Sequence, residues 1–408
     1  MDRADAEKAA VEDMGDPVEV GISMDGVHRP QIAWNVVALA VIIGIMSIFV
    51  HEFMIKDAAI NDAAVSVVGS YIFYTKVLAG LVAMTIVYLI DYTVIAKYAK
   101  VIAMAMLIIL LLGKLGLTFH GMHMYLQIGP FYFLTSAFML LYIPLYGAIV
   151  YKYRGGGILD YFKALIWLLI PALFVIRWPR FMTAMVLIMT MVLQLTIAVT
   201  KGWFKIPKIP VIVAMWSAIT IIPVGIVYFL YSNRLLAGYQ MDRIRAFLYL
   251  DNDAAYITKT VRSFTDVALT GNTGKELLGA LPNPNSDFLL LYLANKYGLL
   301  LVAIIVAVVS SVIIIGCMAS VKSKNQLGLV MGAGSMNVLL VNMLINVLEN
   351  LGVIPFADSF MPFFSAGGSN IVLAYIFLGI ILSIYKYKDA YPQHLDIGIR
   401  VKLKNLEL

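Results

Sequence analysis

The chain of 408 residues is poor in charge: Asp, Glu, Lys and Arg make up 13% of it, whereas 62% of its residues are hydrophobic. A soluble protein has about 25% charged and roughly 45–50% apolar residues. A chain of this length could not cover a water-exposed surface with so few charges. The composition therefore excludes a soluble enzyme, a nucleic-acid-binding domain and a disordered protein, and it predicts a membrane protein.

Cysteine and the familiar catalytic motifs are also scarce or missing. The single cysteine, Cys317, lies in an apolar run and cannot form a disulfide within the chain. The sequence contains no phosphate loop, no GxGxxG segment and no HExxH motif. His120 and His123 are spaced to bind a metal if their segment is helical, but no nearby carboxylate completes a site, so a structural role is the simpler interpretation.

Apolar runs long enough to cross a bilayer recur along the chain. A hydrocarbon core about 30 Å thick needs roughly 20 apolar residues per helix. Runs that fit lie near residues 32–53, 70–90, 95–113, 131–151, 161–176, 182–200, 209–231, 287–317, 327–352 and 370–385. We therefore predict an all-α polytopic membrane protein with about ten transmembrane helices.

The distribution of Lys and Arg predicts the orientation in the membrane, because an even number of spans places both termini on one side. If that side is the cytoplasm, the short inner loops hold ten basic residues and the short outer loops hold four, as the positive-inside rule requires. The net charge of +6 then needs no nucleic-acid partner. We predict an acidic cytoplasmic tail over residues 1–31, a membrane domain over 32–388 and a basic cytoplasmic tail over 389–408.

One long polar segment interrupts the apolar runs. Residues 232–286 lie between the seventh and eighth predicted spans on the outer face, and loops of this length are usually functional. Asp287 follows, where the eighth apolar run begins. Two interpretations stay open: Ser286 or Asp287 caps a helix, or Asp287 is a carboxylate at the rim of a membrane cavity, placed for general-base catalysis.

The segment of residues 355–370 cannot form a regular membrane helix, because it holds two prolines, two consecutive glycines and small polar residues. The N–H groups of consecutive glycines can receive an anion such as a pyrophosphate. A substrate-binding segment and a plain re-entrant turn are both consistent with this sequence. The candidate binding residues are Ser365, Gly367, Gly368, Ser369 and Asn370.

Arg243 and Arg245 lie in the outer loop, in a stretch that suits an amphipathic helix at the membrane interface. Arginine side chains pair well with phosphate oxygens, which makes both residues candidates for substrate binding. A solvated helix face is the alternative interpretation.

Three segments together resemble the SEDS family, the FtsW/RodA/SpoVE-type proteins of bacterial wall synthesis. Residues 281–288, LPNPNSDF, followed by Gly298, resemble the family's LPExHTDF…G segment. Residues 361–369, MPFFSAGGS, resemble its LPFISYGGS signature, and residues 121–136 follow the outline of GxRRWIxxGxxxFQPS. The order of the segments and the long outer loop fit as well, so the resemblance covers about residues 35–388.

This resemblance implies a peptidoglycan glycosyltransferase that polymerises lipid II at the outer face of the bacterial cytoplasmic membrane, in cell division, elongation or sporulation. The family's catalytic aspartate aligns with Asp287, which would deprotonate the 4-hydroxyl of the acceptor sugar. Arg243 aligns with an arginine of the family's RRxRIxAF segment and would face the departing undecaprenyl pyrophosphate. A divalent cation, Mg²⁺ or Mn²⁺, is a further expectation. The expected partners are lipid II, a class B penicillin-binding protein and membrane lipids.

Several motif residues differ from the family's pattern. Ala137 takes the place of the family's membrane glutamate, and Trp178–Ala184 replaces the QPDLGTA motif without an acid. These departures motivate a second hypothesis, a degenerate member that scaffolds or regulates a transpeptidase without chemistry. A lipid-linked sugar translocase is a third hypothesis, which the small number of intramembrane charges disfavours.

Overall fold

The computed structural model describes residues 31–60, 69–112, 131–176, 181–233, 256–274, 284–354 and 359–394, together with short strands between residues 118 and 128 and a few single residues. Nearly all of the predicted acidic tail and most of the predicted basic tail lie outside the described residues. The same holds for residues 234–255 of the outer loop, which contain Arg243 and Arg245.

Helices make up most of the described chain, since a backbone inside a bilayer has to satisfy its own N–H and C=O groups. The first seven are α1 (Trp34–Ile60), α2 (Gly69–Leu89), α3 (Tyr92–Lys97), α4 (Ala99–Leu112), α5 (Thr135–Leu140), α6 (Tyr142–Lys152) and α7 (Ile158–Ile176). The others are α8 (Phe181–Thr200), α9 (Lys208–Ser232), α10 (Tyr256–Ser263), α11 (Leu289–Tyr297), α12 (Leu299–Lys322), α13 (Gln326–Asn350) and α14 (Gly368–Lys386).

Two short antiparallel strand pairs precede α5. Strand β1 (Thr118–Phe119) pairs with β2 (Met122–His123), and β3 (Tyr125–Ile128) pairs with β4 (Phe131–Leu134). The helical spacing that a metal site at His120 and His123 would need is therefore absent at His123, which lies in a strand, while His120 lies outside the described residues.

The predicted all-α polytopic fold is confirmed. In the described part of the chain, nine helical stretches are long and apolar enough to cross a membrane, with α5 and α6 forming one of them. The shorter apolar segment Ala99–Leu111 of α4 lies where the third span was predicted. The chain is a multi-pass membrane protein.

Two predicted spans begin at the wrong residue. The run predicted as one helix over 287–317 is two helices, α11 and α12, separated at Gly298, so that the long apolar helix begins at Leu299. The run predicted over 131–151 begins as strand β4, and its helix starts only at Thr135. Each boundary has only two polar residues beside it, Asn295 and Lys296 before Gly298 and Thr135 and Ser136 after Leu134, so the long apolar run continues across it.

Helix α14 packs closely against α2 because both helices present small residues at their contact. A Cβ atom at Gly80 would collide with the ring of Tyr375, and one at Gly379 would lie 2.7 Å from the carbonyl oxygen of Met84. The hydroxyl of Tyr375 donates to the carbonyl oxygen of Ala40 in α1 at 3.1 Å. These contacts join α1, α2 and α14 into one side of the bundle.

Helix α13 lies at the centre of the bundle and contacts α6, α8, α11, α12 and α14. Its last three turns carry four buried polar side chains: Asn342, Asn346, Glu349 and Asn350. Polar residues in the middle of a membrane bundle are costly unless they bond to one another or to exposed backbone groups. Three of them, Asn346, Glu349 and Asn350, bond to residues that line one cavity.

Candidate active site

A cavity of about 220 Å³ opens at the end of the bundle where α5, α8 and α14 begin and α13 ends. With both termini in the cytoplasm, this end would face outward. The lining residues are Leu134, Ser136, Leu140, Met182, Thr183, Val186, Ser286, Asp287, Asn342, Ile345, Ala357, Ser359, Phe360, Gly367 and Asn370. Asp287 is the only acidic residue among them.

Asp287 is buried, with 5% of its surface exposed. Its backbone carbonyl oxygen accepts hydrogen bonds from the Nδ2 atoms of Asn346 and Asn350, each at 2.9 Å. The Oδ1 atom of Asn350 in turn accepts from the backbone N–H of Leu291, in the first turn of α11, at 2.8 Å. Two asparagines of α13 thus hold the chain at Asp287 and the start of α11 in place.

The structure places the N-cap of α11 at Phe288, one residue beyond Asp287, and the Phe288 side chain makes no cap bond. The first free N–H groups of a helix need partners, and here the partner comes from Asn350 on another membrane helix.

Gly298 ends α11 and allows the chain to turn into α12. Its φ of 94° lies in the left-handed region, which glycine adopts without steric cost. The outer segment lies directly against the turn: the N–H groups of Leu299 and Leu300 donate to the carbonyl oxygens of Ala268 and Leu269, both at 3.1 Å. The outer segment is thereby attached to the start of α12.

The segment that carries the predicted binding residues is folded tightly on itself. The Ser365 hydroxyl accepts from the N–H of Met361 at 2.7 Å and donates to the carbonyl oxygen of Ser286 at 2.9 Å. The N–H of Ala366 donates to the carbonyl oxygen of Asn285 at 3.0 Å. These bonds join the glycine-rich segment to the residues just before Asp287, so the two irregular segments form one wall.

The predicted site residues take different places in this arrangement. Asp287, Gly367 and Asn370 line the same cavity. Ser365 and Ser369 do not line it; their hydroxyls bond to the surrounding backbone, and Ser369 Oγ accepts from the N–H of Leu134 at 2.9 Å. Gly368 begins α14. The structure gives no position for Arg243 and Arg245, which lie outside the described residues.

Two residues of α1 and α2 donate hydrogen bonds to the backbone of the glycine-rich segment, and neither was predicted from the sequence. His51 of α1 donates through Nε2 to the carbonyl oxygen of Phe364 at 2.6 Å, and Lys76 of α2 donates through Nζ to that of Ala366 at 2.8 Å. The stem of Lys76 also packs where a Cβ atom at Gly368 would lie. A lysine inside an otherwise apolar run was the available signal.

The residues of α13 were also missed. Asn342, Asn346 and Asn350 recur every four residues, which places them on one helix face, and this polar stripe could have been read from the sequence. Its partners could not, because Asp287 lies 59 residues before Asn346 and 63 before Asn350.

The lining supplies oxygen atoms from Asp287, Asn342, Asn370 and several serines, which are ligands suited to Mg²⁺ or Mn²⁺. Within the part of the chain that the structure describes, no three His, Cys, Asp or Glu side chains come together as a metal site. These residues fit a divalent cation only if the substrate's phosphates supply further ligands, which is the usual arrangement for Mg²⁺.

The family model for the FtsW/RodA/SpoVE group, described as cell cycle proteins, matches residues 30–390. The chain belongs to this family. The match includes both irregular segments that form the cavity wall, and it agrees with the resemblance found in the three sequence motifs.

Curated relatives in the family carry FtsW and MrdB names. Over 175 residues the chain is 26% identical to the probable peptidoglycan glycosyltransferase FtsW of Borreliella burgdorferi, a match that covers 41% of the chain and 47% of that relative. It is 24% identical over 307 residues to the protein of the same name in Coxiella burnetii, covering 70% of the chain and 77% of the relative. For the peptidoglycan glycosyltransferase MrdB of Escherichia coli, the identity is 27% over 164 residues, covering 38% and 44%. The chain spans about half the length of two of these three relatives.

Solved structures in the family share the fold. A chain of a peptidoglycan synthase complex, from a study of how polymerisation and crosslinking are coordinated, has a TM-score of 0.70 at 17% identity, with 88% of this chain and 98% of that chain covered. The rod shape determining protein RodA of Thermus thermophilus has a TM-score of 0.60 at 16% identity, with the same coverage. At these identities the likeness concerns the fold alone.

We expect Gly298→Ala to destabilise the protein more than Gly271→Ala. Both glycines have a left-handed φ, 94° and 90°, which costs a residue with a Cβ atom about 1–2 kcal/mol. A Cβ atom at 298 would also lie 2.6 Å from Cα of Thr270 and 2.7 Å from the oxygen of Leu269, whereas one at 271 meets nothing within 4 Å. The unfolding temperature of each purified variant in detergent measures the difference. Equal losses would contradict a role for the outer segment in stabilising the turn at Gly298 between α11 and α12.

Proposed function

We propose that this protein is a peptidoglycan glycosyltransferase that polymerises lipid II. The observation that carries the proposal is the buried carboxylate of Asp287, which faces a cavity at the predicted outer end of the bundle in a member of the FtsW/RodA/SpoVE family. Relatives in that family are named peptidoglycan glycosyltransferases. The proposal places the reaction at the outer face of the bacterial cytoplasmic membrane.

The size of the cavity limits what it holds. At about 220 Å³ it is smaller than the roughly 300–1,000 Å³ of a typical ligand pocket. It suits the reacting part of a sugar, while the lipid chains and the growing strand lie outside it. Asp287 would then sit beside the acceptor hydroxyl rather than beside the lipid.

In the proposed step, Asp287 accepts the proton of the acceptor sugar's 4-hydroxyl. The freed oxygen lone pair forms the new glycosidic bond to C1 of the donor sugar. The bond between C1 and the pyrophosphate breaks, and undecaprenyl pyrophosphate leaves with that electron pair. The bonds from Asn346 and Asn350 keep the base in position, so that no reorganisation is needed as the proton moves.

The leaving pyrophosphate requires positive charge. Gly367 and the start of α14 lie on the cavity, and the N-terminus of a helix favours an anion. We propose Arg243 and Arg245 as the basic side chains that approach the leaving group, together with a divalent cation held by Asp287 and the substrate's phosphates. When bound, such a cation neutralises the negative charge that builds up on the pyrophosphate.

We expect Asp287→Asn to lower the rate of lipid II polymerisation about 100-fold or more, which is the usual loss when a general base is removed. Asparagine keeps the size of the side chain and the bonds to the backbone oxygen, but it cannot accept the proton. The measurement is glycan formation by purified protein from lipid II, with Mg²⁺, with Mn²⁺ and with EDTA.

The matched control is Asp266→Asn, which removes an exposed acid of the outer segment and should leave the rate unchanged. Equal rates for wild type and Asp287→Asn would show that Asp287 is not the base. A wild-type protein that forms no glycan under any of these conditions would favour the scaffold hypothesis instead. Full activity in EDTA would contradict the cation.

We propose that both termini lie in the cytoplasm, as the excess of Lys and Arg in the predicted inner loops indicates. A green fluorescent protein fused after Leu408 should fluoresce, and alkaline phosphatase fused there should be inactive. Alkaline phosphatase fused after Asp266, in the outer segment, should be active. The reverse pattern would contradict this orientation.

We further propose a class B penicillin-binding protein as partner, which would crosslink the new strand. A structural relative belongs to a synthase complex in which polymerisation and crosslinking are coordinated, and this supports the proposal. The tagged chain should co-purify with such a protein from its native membrane, while an unrelated multi-pass protein should not. Failure to co-purify would argue against the partner and leave the polymerisation assay unaffected.

A further inference from the structure

Glu349 is a buried acid that the proposed reaction does not use. It lies in the last turn of α13 and is 1% exposed. A negative charge is unfavourable at the C-terminal end of a helix, because the helix dipole is negative there. An acidic side chain inside a membrane bundle is costly as well. The stability of α13 therefore gives no reason for a glutamate at this position.

The carboxylate of Glu349 is bonded to the cavity wall. Its Oε1 atom accepts from the backbone N–H of Ala357 at 2.8 Å, and its Oε2 atom accepts from the hydroxyl of Ser359. Ala357 and Ser359 both line the cavity that Asp287 faces. Glu349 thus fixes two residues in the wall of the proposed active site.

The bond to Ser359 also fixes the direction of a hydrogen-bond chain. Because Ser359 gives its one hydrogen to Glu349, its oxygen is free to accept, and Asn346 Nδ2 donates to it at 3.0 Å. The same Nδ2 atom donates to the carbonyl oxygen of Asp287 at 2.9 Å. Glu349 is therefore connected to the backbone of Asp287 through one hydroxyl and one amide.

The orientation of the Asn346 amide is determined by its two acceptors. The carbonyl oxygen of Asp287 can only accept, so the NH₂ group has to face it. This orientation leaves the buried Oδ1 atom of Asn346 without a hydrogen bond among the described residues. An unsatisfied buried oxygen is unfavourable, so the two donated bonds outweigh it.

We propose that Glu349 is a positioning residue for Asp287. By accepting from Ser359, it keeps Asn346 turned toward the backbone of the base and so holds the Asp287 carboxylate at the acceptor hydroxyl. The inference rests on the proposed function, because it assigns Glu349 a role in the same reaction.

Replacing Glu349 with glutamine keeps the size of the side chain but reverses the direction of the hydrogen bonds that run through Ser359 to Asn346. The glutamine oxygen can keep the bond from Ala357, but its NH₂ group then faces Ser359 and donates to it. The hydrogen of Ser359 has to turn toward Asn346, whose Oδ1 atom is available to accept it. If the Asn346 amide rotates to accept that bond, its Nδ2 atom leaves the carbonyl oxygen of Asp287.

We expect Glu349→Gln to lower kcat about 10-fold while KM and the unfolding temperature change little, since the variant misplaces the base but keeps the cavity. Ser359→Ala, which interrupts the same chain, should have an effect of similar size. The double variant should also lose about 10-fold, whereas two independent effects would multiply to about 100-fold. Lipid II polymerisation and thermal unfolding of all three variants measure this.

Glu52→Gln is the matched control. Glu52 lies on the membrane helix α1 and likewise accepts from a hydroxyl, but its partner Tyr74, unlike Ser359, does not line the cavity. Its variant should keep the wild-type kcat. Wild-type kcat in Glu349→Gln, or multiplicative losses in the double variant, would overturn the positioning role even where Asp287→Asn lowers the rate as expected.

A second measurement does not depend on polymerisation. Dicyclohexylcarbodiimide modifies buried carboxyl groups, and peptide mapping gives its rate of reaction with Asp287. We expect Glu349→Gln to change that rate about 3-fold or more, since the carboxylate moves, and Glu52→Gln to leave it unchanged. If the wild type forms no glycan, the proposed function fails and this measurement alone decides the inference: equal rates in wild type and Glu349→Gln would overturn it.

Discussion

Two hydrogen bonds to one carbonyl oxygen, donated by Asn346 and Asn350 to Asp287, fix the geometry on which the site depends. Between membrane helices no bulk water is present to satisfy a free backbone group, and each unsatisfied one costs several kcal/mol. The chain around Asp287 is irregular and cannot satisfy its own groups. Helix α13 supplies the missing donors from its asparagine side chains. Because these bonds also fix the backbone of Asp287, they hold the proposed base in place.

The glycine-rich segment obeys the same requirement with different residues. Ser365 bonds to Ser286, while His51 and Lys76 donate to carbonyl oxygens that no helix could satisfy. The segment also contains Phe363, whose φ of 68° is unfavourable for a residue with a bulky side chain. Such a conformation persists where the surroundings determine it completely, as the bonds on both sides of this segment do.

The sequence predicted the membrane spans well because each span needs an apolar run, and such runs are visible without any partner. It failed at Gly298, because Asn295 and Lys296 interrupt the apolar run only briefly and the contact with Ala268 and Leu269 is not visible in the sequence. It singled out Asp287 and Gly367, which lie in segments that resemble family motifs, and Asn370, which follows one of these segments; the three residues line one cavity. The asparagines, Lys76 and His51 were not predicted, because their roles depend on partners far away in the chain.

Two departures from the family's motifs lie at the cavity. Ala137 follows the lining residue Ser136, and the segment Trp178–Ala184 contributes Met182 and Thr183, none of which is charged. The acid of the lining is Asp287. One acid suffices for the proposed base, since proton transfer needs one group at hydrogen-bond distance. It does not suffice for the leaving group, because no Lys, Arg or His of the described chain lines the cavity. The proposed mechanism therefore assigns the positive charge at the pyrophosphate to Arg243, Arg245 and a cation that arrives with the substrate.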